Sequence, residues 1–152
     1  MTGLLIREAA TPAEFEVARN LIIDYSKELG IDLRFQNFDD EMARFSETYD
    51  AVLIAGDLAS PDGCVGLKAL DETRCEMKRL FVKPSARGRH VGEALAVAII
   101  EKARAAGYRE MVLDTLTRLG PAVKLYERLG FERCEPYYAN PEPDVIYLRL
   151  AL

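Results

Sequence analysis

Apolar residues fall at Phe15, Ala18, Ile22, Tyr25 and Leu29, steps of three and four that predict one buried face of an α-helix. Thr11-Pro12-Ala13-Glu14 marks its start: an N-cap hydroxyl, a proline at the first helical position and a glutamate placed to close a capping box. Gly30 marks its end. Leu4-Leu5-Ile6 ahead of it suits a first strand, and Asp39 or Asp40 can cap a second, shorter helix through Met42 and Phe45. Residues 31–38 carry no clear period and read as a loop. The pattern then turns to strands. Residues 51–55 are a buried-type run, Ser60-Pro61-Asp62-Gly63 supplies turn residues, 64–70 return, and 75–82 follow a turn at Asp71-Glu72. Three strands at this spacing predict an antiparallel meander.

Beyond Pro84 the period becomes helical again. Residues 91–106 place Leu95, Ala98, Ile99 and Ala103 on one face, and Gly107 caps the end. Residues 111–113 are a short buried strand, so strand, helix and strand imply a parallel pair joined by a right-handed crossover. A helix over 121–129, with proline at its start and Gly130 at its end, and a strand over 145–150 complete the chain. With no repeat or linker, residues 1–152 read as one α+β domain on a mixed sheet.

Composition narrows the class. The 152 residues are 49% hydrophobic and 30% charged, ordinary globular usage. No apolar run approaches the roughly 20 residues that span a bilayer. Arg7 and Glu8 arrive too early for a signal peptide. Cys64, Cys75 and Cys134 lack metal-type spacing and read as thiols in a reducing compartment, which predicts a cytoplasmic protein with no metal and no membrane. A net charge of −5 disfavours nucleic acid. From Met77 to Gly92, however, stand Lys78, Arg79, Lys83, Arg87 and Arg89 with no acid among them. Such an island fits a small anionic ligand or a solvated loop, and composition leaves both open.

The island contains Arg87-Gly88-Arg89-His90-Val91-Gly92-Glu93, between a strand and a helix. Unpaired amides at a helix N-terminus attract anions, glycines admit close approach, and arginines add charge-assisted bonds. The segment lacks the Gly-Lys-Ser/Thr ending of a P-loop and the three spaced glycines of a dinucleotide fingerprint. Read on its own it is an anion cradle or a plain turn.

At this point the sequence resembles the N-acetyltransferases of the GNAT superfamily. Their signature, Arg or Gln, two residues, Gly, one residue, then Gly or Ala, matches at Arg87 and Gly92, with His90 where the first glycine usually stands. Histidine tolerates positive φ better than most residues. Glu76-Met77-Lys78-Arg79-Leu80-Phe81-Val82-Lys83-Pro84 and Ala122-Val123-Lys124-Leu125-Tyr126-Glu127-Arg128-Leu129-Gly130-Phe131 look like the family's flanking elements. The resemblance implies a mostly antiparallel sheet of six or seven strands, about four flanking helices and a splayed parallel pair in the middle. It implies acetyl-CoA as acetyl donor and direct attack by a primary amine in a ternary complex. Leu80, Phe81, Val82 and the segment from Arg87 to Glu93 would hold the donor, with the Val82 amide or a neighbour polarising the carbonyl and Thr115 lining the pantetheine tunnel. Leu119 replaces an asparagine that many relatives use there. Dimers are common in the family.

An alkyl amine of pKa about 10.4 costs roughly 4 kcal/mol to deprotonate near neutral pH, so a base is useful. Glu76 is the candidate, acting directly or through water; the alternative is an exposed strand glutamate, or one paired with Lys78 or Arg79. Tyr126 reads by pattern as a core aromatic, and the resemblance makes it the acid for the departing thiolate. The acceptor side is implied to comprise Arg34, Phe35, Phe38, Tyr137, Tyr138 and Asn140, although these aromatics could equally pack the sheet edge. A small-molecule amine is the expected acceptor, with a protein or peptide acceptor and a catalytically silent acyl-CoA-binding module as the alternatives.

Overall fold

The computed structural model describes residues 5–29 and 38–152, and only the backbone of Leu29 and Phe38. Among these residues the elements run β1 (Ile6–Glu8), α1 (Pro12–Leu29), α2 (Phe38–Ala43), α3 (Phe45–Thr48), β2 (Ala51–Asp57), β3 (Ser60–Ala69), β4 (Arg74–Val82), a 3₁₀ turn (Pro84–Ala86), α4 (Val91–Ala105), β5 (Glu110–Leu116), α5 (Gly120–Arg128), β6 (Glu132–Arg133) and β7 (Val145–Ala151). The strands form one sheet in the order β1-β2-β3-β4-β5-β7-β6. β4 and β5 are its parallel pair, and α4 crosses between them. The other pairings are antiparallel, and those of β2 with β3 and of β3 with β4 form the expected meander.

Local chemistry explains the elements. The Thr11 hydroxyl accepts from the Glu14 amide at 3.2 Å, while the Glu14 carboxylate accepts from the Thr11 amide at 3.0 Å, so the capping box closes. Along β2, alternate side chains face opposite ways: Ala51, Leu53 and Ala55 pack with Leu95 and Ile99 of α4, whereas Val52 and Ile54 pack with Ala18 and Ile22 of α1. Helices cover both faces of the sheet, which is why β2 reads as a continuous apolar run.

The hairpin between β2 and β3 departs from expectation. Ser60-Pro61-Asp62-Gly63 lies inside β3, and the chain turns at Leu58 and Ala59. A bulge at Ala55/Gly56, with Gly56 at φ 86°, shifts the register so that Pro61 opposes Gly56, and a bulge tolerates a residue that cannot donate. β5 is longer than the expected 111–113, and the two-residue β6 carried no readable period.

Gly63 shows how closely β3 approaches β4. A Cβ there would stand 2.5 Å from the Phe81 carbonyl oxygen and 3.1 Å from Leu95 Cδ1. Gly63→Ala is expected to cost about 1–3 kcal/mol of stability in urea denaturation, as overpacking does; an unchanged midpoint would contradict this contact.

Candidate active site

The β4–β5 ladder joins only Arg74–Glu110, Cys75–Met111 and Glu76–Val112. Past Glu76 the strands diverge. The cause lies on the opposite edge of β4, where Lys78 opposes Gly66 but Phe81 opposes Cys64, so three steps on β4 face two on β3. Arg79 occupies this bulge with φ 57°. A non-glycine residue in that region costs roughly 1–2 kcal/mol. Its guanidinium donates to both Glu41 oxygens at 3.0 and 2.7 Å, the side chains being 6% and 5% exposed, and the Tyr49 hydroxyl also donates to Glu41. Burial alone would raise the Glu41 pKa, but the bonds and charge of Arg79 outweigh it and hold the carboxyl below its usual range.

The divergence opens a cavity of about 440 Å³ between the strands. Leu80, Phe81, Val82, Arg87, Gly92 and Thr115 of the expected donor site line it, together with Tyr126 and Asn140. Gly88, Arg89, His90 and Glu93 form the adjoining turn and first helical residues, and Val91 is buried in the α4 core. His90 adopts φ 61°, ψ 22°, and Gly88 φ 83°, so the histidine takes the left-handed conformation that a glycine would supply. The helical ladder begins with Ala94 N donating to His90 O at 3.1 Å. The amides of Val91, Gly92 and Glu93 therefore have no helical acceptor and stand at the positive end of the α4 dipole.

The cationic island is less uniform than its sequence suggests. Arg79 faces inward to Glu41, Lys83 and Arg89 approach Asp62 at 3.6 and 3.4 Å, and Arg87 meets Glu28 at 3.2 Å. Arg87 also lies over the Tyr25 ring, 5.4 Å from its centroid, and donates to the Val82 carbonyl at 3.1 Å. These exposed pairs are worth little and can exchange for a stronger anion.

Tyr126 is 7% exposed and lines the cavity, and its hydroxyl has no hydrogen-bond partner among the described residues. Burial, then the nearby Tyr25 and Asp114, push its pKa well above that of a free phenol, so it is protonated at neutral pH. Glu76, 3% exposed, sits on the last β4–β5 rung, one residue short of the cavity. It accepts from the Tyr137 hydroxyl at 2.5 Å. Burial raises its pKa, against the opposing charge of Lys78.

Tyr138 and Asn140 gather instead on Asp114, which accepts from the Tyr138 hydroxyl and from Asn140 Nδ2 at 2.7 Å. Tyr147 fastens this segment, donating to the Tyr138 carbonyl at 2.7 Å and accepting from the Asn140 amide at 3.1 Å. Arg34 and Phe35 lie outside the described residues, and of Phe38 only the backbone is described, opening α2. Lys78, Asp114 and Glu142 also line the cavity; from sequence Lys78 was only one cation of the island, and Glu142 had drawn no role. The signal available for Lys78 was alternation: Cys75 and Met77 face the α4 core, which puts Glu76 and Lys78 on the other side. Among the described residues there is no cluster of three potential metal ligands and no helix long and apolar enough to cross a membrane.

The model of the Acetyltransferase (GNAT) family matches residues 16–131. An uncharacterised N-acetyltransferase of Schizosaccharomyces pombe is 40% identical over 157 aligned residues, covering 99% of this chain and 96% of that protein. An acetyltransferase structure from Streptococcus agalactiae superposes with TM-score 0.79 at 23% identity, covering 100% of both chains. A GNAT family acetyltransferase from Elizabethkingia anophelis, solved with acetyl-CoA bound, superposes with TM-score 0.69 at 21% identity over 98% of each chain.

Removing one partner from a buried ion pair leaves the other uncompensated, so Glu41→Gln should lower stability by about 3–5 kcal/mol at pH 7. A depressed carboxyl pKa contributes stability that is full above the unfolded value near 4.5 and lost as pH falls through the folded value. The gap between Glu41→Gln and the parent in denaturation should therefore shrink from pH 7 to pH 3; a constant gap would contradict the linkage.

Proposed function

Because the chain belongs to the GNAT family of acetyltransferases, we propose that it moves the acetyl group of acetyl-CoA to a primary amine of a small molecule in a ternary complex. The observation that carries this reading is the cavity itself, which runs from the α4 N-terminus between the splayed strands to Asp114 and Asn140. Its residues fit the donor. The amides of Val91, Gly92 and Glu93, with Arg87 and Arg89, suit a pyrophosphate. The facing strand edges beyond Glu76 and Val112 are not joined to each other, and they admit an extended amide-bearing chain between them. Bound acetyl-CoA would supply a thioester carbonyl, and in net terms a C–N bond forms, the C–S bond breaks, and an ammonium acceptor gives one proton to sulfur and one to solvent.

The protein's own tasks follow from this placement. A backbone amide at or beside Val82 orients the carbonyl and favours charge on its oxygen. Tyr126 holds a proton at its hydroxyl for the departing sulfur, and the burial that raises its pKa raises that of a thiol in the same cleft, so the two stay matched. Glu76 accepts the amine's proton through water, since it stops one residue short of the cavity. Asn140 lines this end, Tyr138 joins it on Asp114 and Tyr137 holds Glu76, and a segment so fastened beside the cavity favours a small acceptor over a peptide.

Acetyl-CoA at about 100 times its Kd should stabilise the protein by about 2.7 kcal/mol. The absence of any thermal shift at such concentrations would sink both the enzyme reading and a silent binding module. Thiol release that depends on an added amine separates those two. Tyr126→Phe should lower kcat by about 10²-fold with little change in KM for acetyl-CoA; an unchanged kcat would remove Tyr126 as the acid.

A further inference from the structure

The acceptor end of the cavity holds one cation outside any hydrogen bond or ion pair among the described residues. Its carboxylates each have partners: Glu76 has Tyr137, Asp114 has Tyr138 and Asn140, Glu142 has Arg118 at 3.0 Å, and Glu41 behind the bulge has Arg79. Lys78 differs from them. It lines the cavity from β4, half-buried, and among the described residues its ammonium makes no hydrogen bond and no ion pair. Burial, then the like charge of Arg79, lower its pKa against the attraction of Glu76 and Glu41. Lys68, on β3 at the register position of Glu76, adds a second half-buried cation near this face, also without a hydrogen-bond or ion-pair partner among the described residues. A half-buried ammonium with no direct acceptor is costly, and a ligand anion in the cavity would supply one.

Resting on the acetyltransferase reading above, we propose that the acceptor is an amino acid or similar amino-carboxylate, with its carboxylate seated on Lys78. A neutral or polycationic amine would leave Lys78 uncompensated or repel it. Glu76 and Glu41 attract Lys78 through space, but neither makes an ion pair with it, so its N–H donors stay available to a ligand. Lys78 is then a specificity residue: it selects acceptors by their anionic end and takes no part in proton transfer.

The test measures thiol release with saturating acetyl-CoA across triplets such as 4-aminobutyrate, 4-aminobutyramide and butylamine, together with the corresponding α-amino acid series. The parent protein should favour the accepted carboxylate over its carboxamide by at least about tenfold in kcat/KM, since tenfold corresponds to about 1.4 kcal/mol. Lys78→Met should bring that ratio close to one, and Lys78→Arg should retain part of it, while the acetyl-CoA thermal shift persists in both and reports an intact donor site. The proposal is overturned if the parent uses the carboxamide or the plain amine equally well, or if Lys78→Met keeps the full preference. Either result leaves the acetyltransferase reading standing. Thiol release with no member of any series, despite an acetyl-CoA shift, overturns both.

Discussion

The site depends on one buried ion pair. Arg79 holds a left-handed backbone conformation within a strand, and its guanidinium is spent on Glu41, a residue of α2. The bulge this creates gives β4 one residue too many against β3. That extra residue turns the far half of β4 away from β5, so the ladder stops after three rungs. A cavity through the middle of a sheet would ordinarily forfeit backbone hydrogen bonds at several kcal/mol. Here the loss falls only between β4 and β5, because β4 stays paired to β3 through Phe81 and Val82 and β5 stays paired to β7 along its length. The same salt bridge ties α2, at the edge of the expected acceptor side, to the strand that lines the donor cleft.

The bulge also separates two chemistries along a single strand. Before it, alternation sends Cys75 and Met77 into the α4 core and leaves Glu76 and Lys78 on the opposite face. After it, Phe81 packs with the α1 cluster and stacks on Tyr25, with ring centroids 3.9 Å apart. Tyr25 in turn lies beneath Arg87. One strand thus presents an ionisable pair at the closed end of the cleft and a hydrophobic, arginine-braced wall at the open end, where α4 begins.

Much of this was legible in the residues. The capping box at Thr11 and Glu14, the α4 face of Leu95 and Ile99, and the strand–helix–strand order that forces a parallel pair all rest on local patterns, and all three form. His90 was legible too, since a residue replacing glycine before a helix must accept positive φ, and it does. What stayed hidden required partners distant in sequence. Ser60-Pro61-Asp62-Gly63 has turn chemistry, but the bulge at Gly56 moved the turn to Leu58 and Ala59. Arg79 counted as one cation of an island, and only the fold brings Glu41, 38 residues away, against it. The Asp114 network likewise joins Tyr138 and Asn140 across 24 and 26 residues.

Satisfied and unsatisfied groups divide the cavity in a way that composition could not show. A net charge of −5 disfavours polyanions such as nucleic acid, yet net charge describes the far field, and binding is decided by what is unpaired at close range. The donor end holds helix amides without helical acceptors and exposed arginines in weak pairs. The acceptor end holds carboxylates saturated by tyrosine, asparagine and arginine donors, and one lysine without a partner among the described residues. Each end of the cleft therefore offers positive groups without a direct acceptor, although Glu76 and Asp114 keep their negative charge beside Lys78. An acceptor that carries its own carboxylate reconciles the two scales, because its anion meets Lys78 while its amine, relieved of a proton toward Glu76 through water, attacks the thioester carbonyl.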